Sequence, residues 1–208
     1  MSRRPLDFYE TPDWMIRGLL EHVPELGCAA AKSARPRGRV CDPCVGAGAI
    51  TRQLLAARSI ELVTNDLDPA RQADFHHDAR DPRAWKEIEF VAGPIDWVVT
   101  NPPFDPEALV DILLNALAHA RAGVVLLARR SFLEPTRHRG AVLCGMEPDR
   151  ALITERHSFT GNGKSDSVTT EWLCWARPPL VLSGKPIVVL AGYKPRKVRR
   201  SRRAEVAA

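Results

Sequence analysis

Residues 39–58 read RVCDPCVGAGAITRQLLAAR, and they parse as a short strand, a glycine turn and a helix. Arg39, Val40 and Cys41 form the strand. Residues 42–48 form an acidic, glycine-rich turn, and 48–58 carry the helical pattern. Glycine lets a ligand approach the backbone closely, and the first turn of the helix offers unpaired N–H groups. A dinucleotide fingerprint needs Gly or Ala at its third position. Gly46 and Gly48 fill the first two, but Thr51 stands at the third. Asp42 precedes the turn; a carboxylate there repels a pyrophosphate and attracts an ammonium or sulfonium group. The turn therefore suits a cationic amino-acid cofactor better than a dinucleotide. Cys41 and Cys44 also form a CxxC, which alone is compatible with a redox pair or half a zinc site. Tetrahedral zinc needs two further ligands. Cys28, His76 and His77 are the near candidates and form no pattern, so no metal site is expected.

Outward from this turn, residues 12–23 carry Trp14, Ile16, Leu19, Leu20 and Val23 at helical spacing behind Pro12. Residues 28–38 read as a loop. Downstream, strands are expected at 60–66, more weakly at 74–79, and at 95–100 and 123–128. Helices are expected at 81–88 and 106–120, the latter opened by Pro106. Three strands, at 150–157, 169–176 and 186–191, follow with no helix between them. Alternating strands and helices imply a doubly wound, mostly parallel α/β sheet with helices on both faces, and the late run of strands implies an antiparallel edge. Trp172 and Trp175 read as core. Ligands in such sheets lie beyond the carboxyl ends of the strands. Asp66 is then placed to accept from ribose hydroxyls and Asp78 from an adenine amino group. Ribose, adenine and a cationic amino-acid tail together describe S-adenosylmethionine.

TNPPF, residues 100–104, follows the apolar strand directly. Two prolines fix the backbone and remove two donors, leaving carbonyls outward. Asn101 adds a side-chain acceptor and Phe104 a flat apolar face. Two acceptors beside an aromatic ring suit a planar group bearing an NH₂. The plainer reading is a rigid strand-to-helix turn in which Asn101 makes an Asx-turn.

These motifs together resemble class I S-adenosylmethionine-dependent methyltransferases, in particular N6-adenine DNA methyltransferases. The resemblance covers residues 7–177. Asn101, Pro102, Pro103 and Phe104 match the catalytic (D/N)PP(Y/F) tetrapeptide. Thr11 and Pro12 look like the N-terminal motif that contacts the methionine end of the cofactor. Asp42, Gly46 and Gly48 match the glycine-rich cofactor motif, Asp66 the ribose acid and Asp78 the acid near the cofactor's adenine. The order of the motifs is γ-like, and stretches 130–139 and 156–176 look like phage and prophage members. The resemblance implies a Rossmann-like class I fold with a seven-stranded sheet, methyl transfer to adenine N6 in DNA, and S-adenosylmethionine as cofactor. NPP turns serve any planar NH₂ group, so adenine in RNA, a protein glutamine, or a non-catalytic nucleic-acid-binding relative are the alternatives.

The charge distribution suits a nucleic-acid partner, and the plainer reading of the basic tail is a solubilising segment. Of 30 Lys and Arg, seven fall in residues 193–208 with one of the 25 acids, so residues 1–192 are close to neutral. The expectation is a single methyltransferase domain over 1–192 and a flexible basic tail at 193–208, with no separate target-recognition domain. Lys194, Arg196 and Lys197 in the tail, and Lys164, are expected phosphate contacts. Arg156 is either another or a pairing partner within the sheet. No apolar run reaches the roughly 18 residues of a membrane span, and the first residues carry no apolar signal core. Five cysteines without an export signal argue against a disulfide framework. A cytoplasmic location is the resulting expectation; oligomeric state stays open.

Overall fold

The computed structural model describes residues 10–31, 35–134, 143–156 and 169–190. Within them the chain order is α1 (Asp13–His22), β1 (Arg39–Asp42), α2 (Ala49–Ala57), β2 (Glu61–Thr64), α3 (Pro82–Ala92), β3 (Trp97–Thr100), α4 (Pro106–His119), β4 (Gly123–Arg129), β5 (Arg150–Thr154), β6 (Thr170–Ala176) and β7 (Ile187–Leu190). The strands form one seven-stranded sheet in the order β2-β1-β3-β4-β6-β5-β7. Pairs β1–β2, β1–β3, β3–β4 and β5–β7 are parallel, and β6 runs against both β4 and β5.

The central strands are apolar because both of their faces are covered. All four residues of β3 are buried, as are six of the seven in β4. Their alternation divides the interior into two cores. Trp97, Val99, Val125 and Leu127 pack with Met15, Ile16 and Leu19 of α1 and Ile50 and Leu54 of α2. Val98, Val124 and Leu126 pack with Trp85 and Ile88 of α3 and Leu109 and Leu113 of α4. Trp172 is fully buried in the first core, donating Nε1–H to the Met15 carbonyl at 3.1 Å. Trp175 lies in the second and donates to the Met146 carbonyl at 2.8 Å. Both tryptophans are therefore core residues, as their alternation implied.

Two helix starts are fixed by Asp-Pro pairs. Asp81 accepts from the Arg83 N–H ahead of α3, and Asp105 from the Ala108 N–H ahead of α4, each with proline in the first turn. Helix α3 runs to Ala92, beyond the boundary expected at 88. Helix α2 starts differently, from Gly48 in the left-handed region with no side-chain cap, so the amides of its first turn lack an internal partner.

The expected weak strand at 74–79 does not form. Its only ladder pairing among the described residues is an isolated parallel bridge between Asn65 and Phe75. The sequence supplies the reason: the Asp74 carboxylate accepts from both the backbone N–H and the hydroxyl of Thr64, each at 2.8 Å. A side chain thus takes a donor that a ladder would have used. Without it the sheet has seven strands, ending in β7, expected at 186–191, at the edge opposite β2, and NPPF follows the third strand of the chain rather than the fourth. No helix among the described residues is long and apolar enough to cross a membrane. The tail 193–208 and Lys164 lie outside the described residues.

Candidate active site

The carboxyl ends of β1, β2 and β3 converge on a cavity of ≈ 440 Å³, within the size range of small-molecule sites. Its wall includes Thr11, Gly46, Asp66, Asp78, Asn101 and Pro103. These residues come from five separate segments, so chain topology brings the sequence motifs together.

The glycine turn forms one side. Gly46 and Gly48 have φ of 55° and 76°, values that favour glycine. A Cβ on Gly48 would also stand 3.2 Å from Thr51 Oγ1. Gly48→Ala is accordingly expected to lose about 1–2 kcal/mol of stability, as measured by urea denaturation. Thr51, the residue that spoils the dinucleotide fingerprint, donates its hydroxyl to the Gly48 carbonyl at 3.0 Å. Asp66 accepts from the Gly46 N–H at 2.8 Å through Oδ2 and from the Asp68 N–H at 2.9 Å through Oδ1. The acid that ends the second strand segment therefore also fixes the glycine turn.

Asp42 is set deeper than the sequence suggests. It is fully buried behind the turn and is not part of the cavity wall. Its Oδ1 accepts from the Cys44 N–H at 3.2 Å, whereas Oδ2 is buried with no hydrogen-bond partner, as is the Thr100 hydroxyl. Burial pushes the Asp42 carboxyl up to about 7, against the opposing pull of nearby Thr100 and the Cys44 amide. Asp78 is in the contrary position. Arg80 grips both of its oxygens, at 2.6–3.1 Å, and holds it below the usual carboxylate range. An adenine amino group would share this carboxylate with Arg80.

The NPPF segment is split between wall and interior. Asn101 and Pro103 line the cavity, while Pro102 and Phe104 are buried. The Asn101 Nδ2 donates to Thr11 Oγ1 at 3.1 Å, joining residues 90 positions apart. This bond turns the amide oxygen away from Thr11. Pro12 stands beside it as the residue before α1. Phe104 is 7% exposed, and the Arg129 guanidinium lies 5.4 Å from its ring centroid, a cation–π distance. The flat face expected to be open is thus covered. Arg156 is exposed, just past the end of β5. Lys164, Lys194, Arg196 and Lys197 lie outside the described residues.

The two cysteines of the opening motif diverge. Cys41 packs in the α3–α4 core, and Cys44 lines the cavity. Burial, with the Asp42 charge second, pushes both thiols well above their ordinary range, which keeps them protonated at neutral pH. No cluster of metal-binding groups occurs among the described residues. Sequence reasoning missed Leu67, Arg71 and Ile112, which also line the cavity. Leu67 is 51% exposed; its signal was an apolar residue directly after Asp66, outside any strand pattern.

No protein-family profile and no curated protein sequence matches the chain. Solved structures do. A candidate RNA methyltransferase from Pyrococcus horikoshii superposes with a TM-score of 0.58 at 14% identity, over 84% of this chain and 91% of that one. A candidate class I S-adenosylmethionine-dependent methyltransferase from Listeria monocytogenes gives 0.56 at 13%, over 87% and 65%. The methyltransferase subunit of a type I restriction-modification system from Streptococcus thermophilus gives 0.50 at 12%, over 82% and 45%. The chain thus spans less than two thirds of the last two. At these identities the likeness speaks for architecture, and the architecture is the Rossmann-like class I methyltransferase fold.

Proposed function

We propose that the protein transfers a methyl group from S-adenosylmethionine to the exocyclic N6 amino group of adenine in DNA. The observation that carries this reading is the Asn101–Thr11 hydrogen bond at the rim of a cavity that Gly46, Asp66 and Asp78 also line. An amide acceptor for an amino group and the acids suited to an adenosine stand around one space.

The residues present fit that cofactor. Asp66 offers carboxylate oxygens to ribose hydroxyls. The uncapped first turn of α2 offers amides to a carboxylate. The orphaned Oδ2 of Asp42 gives the region a negative charge once it ionises, suited to a cationic ligand. When bound, S-adenosylmethionine supplies a methyl group on a sulfonium centre. The protein's part is to orient the nucleophile. Thr11 holds the Asn101 amide, whose oxygen accepts one amino hydrogen, and the Pro102 carbonyl accepts the other. Both acceptors draw the nitrogen toward a tetrahedral form with its lone pair directed into the cavity. Orientation and charge complementarity supply the rate, and the amino proton leaves to water. The target base is flipped from the duplex. It reaches Phe104 only after Arg129 leaves the ring.

The basic tail at 193–208 adds sequence-independent affinity for the phosphate backbone, with Lys194, Arg196 and Lys197 among its contacts. Arg156 and Lys164 add further phosphate contacts. Deleting 193–208 should weaken duplex binding and make its salt dependence shallower by about three or more in the log–log slope. S-adenosylmethionine affinity should be unchanged by the deletion. Fluorescence anisotropy over a salt series reads the first effect and calorimetry the second.

The test of the function is transfer of a tritiated methyl group from S-adenosylmethionine to unmethylated duplex DNA, with RNA and protein acceptors in parallel. Counts confined to DNA support the reading. Counts in RNA or protein move the substrate, and cofactor binding without transfer to any acceptor points to a non-catalytic relative.

A further inference from the structure

The loop that carries Asp78 lacks the strand that would have anchored it, yet it holds a defined place beside Asp66 and the glycine turn. Asp74 and Phe75 tether its start to Thr64 and Asp66 through backbone hydrogen bonds of 3.1 Å, and one fully buried side chain ties His77, next to Asp78, to the glycine turn. Asn65 Nδ2 donates to the Pro43 carbonyl at 2.9 Å and to the His77 carbonyl at 3.0 Å. Its Oδ1 accepts from the His77 N–H at 2.9 Å. The backbone of the same residue donates to the Asp42 carbonyl at 2.9 Å and accepts from the Val45 N–H at 3.0 Å. Asn65 has no solvent exposure, while Pro43, Asp66, His77 and Asp78 all line the cavity. The Asn65 carboxamide exchanges a donor and an acceptor with His77, as a neighbouring strand would, and uses its second amide hydrogen on the glycine turn.

We propose that Asn65 is the positioning residue of the cofactor site, its side chain standing in for a third strand and fixing the glycine turn and the Asp78 loop in relation to Asp66. The assignment rests on the S-adenosylmethionine reading for the identity of the ligand. The far side of the Asp78 loop is held independently: Asn115 donates to the Ala79 and Arg80 carbonyls at 3.2 and 2.9 Å, and Trp85 to the Ala79 carbonyl at 2.8 Å. Loss of Asn65 therefore shifts the loop without releasing it. A carboxamide is needed, because only an amide supplies both donors and the acceptor from one short side chain. Removing it takes that partner from three backbone groups, the buried Pro43 carbonyl and the half-buried His77 N–H and carbonyl, a loss borne by the cavity wall.

Asn65→Ala should weaken S-adenosylmethionine and S-adenosylhomocysteine binding by about tenfold in calorimetry, the cost of about one buried hydrogen bond. In hydrogen exchange the His77 amide should lose protection, while Val98 and Val124 in the central strands keep theirs. KM for S-adenosylmethionine should rise, with kcat at saturation within about twofold of wild type. Asn65→Asp keeps the acceptor for His77 and the side-chain volume, so it should be intermediate; it also serves as the test if the alanine variant does not fold. Ligand affinity within twofold of wild type in either folded variant would overturn the proposal, as would loss of protection in the central strands together with His77. A wild-type protein that binds neither ligand would instead sink the cofactor reading, and the His77 exchange comparison would still decide whether Asn65 fixes the loop.

Discussion

Asn101→Ala is expected to reduce methyl transfer by about 10³-fold while weakening S-adenosylmethionine binding by less than about fivefold. The rate effect follows from removing an acceptor that acts on the developing charge at the amino nitrogen, where single preorganised groups contribute about 10²–10³. The small binding effect follows from the bond to Thr11. Loss of the Asn101 Nδ2 leaves the Thr11 hydroxyl without that partner, at a cost of about one neutral hydrogen bond. Thr11→Val separates the two contributions. It keeps Asn101 but removes what orients it, so kcat should fall by about tenfold, short of the alanine variant. Single-turnover kinetics with calorimetry on both variants gives the comparison. If Asn101→Ala lost cofactor binding in parallel with activity, Asn101 would be a structural residue of the wall.

Asp42→Asn should make the ligand-free protein more stable above pH 7 and weaken its hold on the cofactor. The folded carboxyl sits near 7, against about 3.9 in an unfolded chain. Between those values the folded state binds the proton more tightly. The stability that Asp42 contributes is therefore complete below about pH 4 and is lost as pH rises to about 7. Asparagine does not ionise, so the variant should match wild type near pH 4 and exceed it at pH 8 by something on the order of 2–4 kcal/mol. Binding should behave oppositely. A cationic ligand favours the ionised carboxylate, so wild-type affinity should climb by up to about tenfold per pH unit toward pH 7 and then level off. The variant should bind independently of pH and about 10–100-fold more weakly at pH 8. Denaturation and calorimetry between pH 4 and 8 test both halves. A wild-type affinity that does not change between pH 5.5 and 8 would remove Asp42 from any role toward the cofactor.

Much of this fold is legible because β3 and β4 are apolar on both sides and α4 is long and well capped. Such segments announce themselves through hydrophobic period and Asp-Pro starts, independently of what they pack against. The glycine turn is legible for a related reason, since left-handed backbone at Gly46 and Gly48 restricts which residues can stand there. The segment at 74–79 was misread because alternation alone does not reveal that the Asp74 side chain takes the Thr64 N–H from the ladder. Asp42 was read as a cofactor contact from its position, but depth behind a turn is a tertiary quantity with no local sequence signal. The covering of Phe104 by Arg129 depends on two residues 25 positions apart, on different elements, and Asn65 acts through carbonyls that sequence cannot orient. The chemistry-bearing residues were thus visible, while the side chains that hold them in place were visible only in three dimensions.

The central claim is adenine-N6 methylation of DNA, and nucleoside mass spectrometry tests it most directly. Unmethylated duplex DNA incubated with the protein and S-adenosylmethionine, then digested to nucleosides, should yield N6-methyldeoxyadenosine, with none from the Asn101→Ala protein. A methyl group on another base, or methylated adenosine from RNA with none from DNA, would contradict the claim.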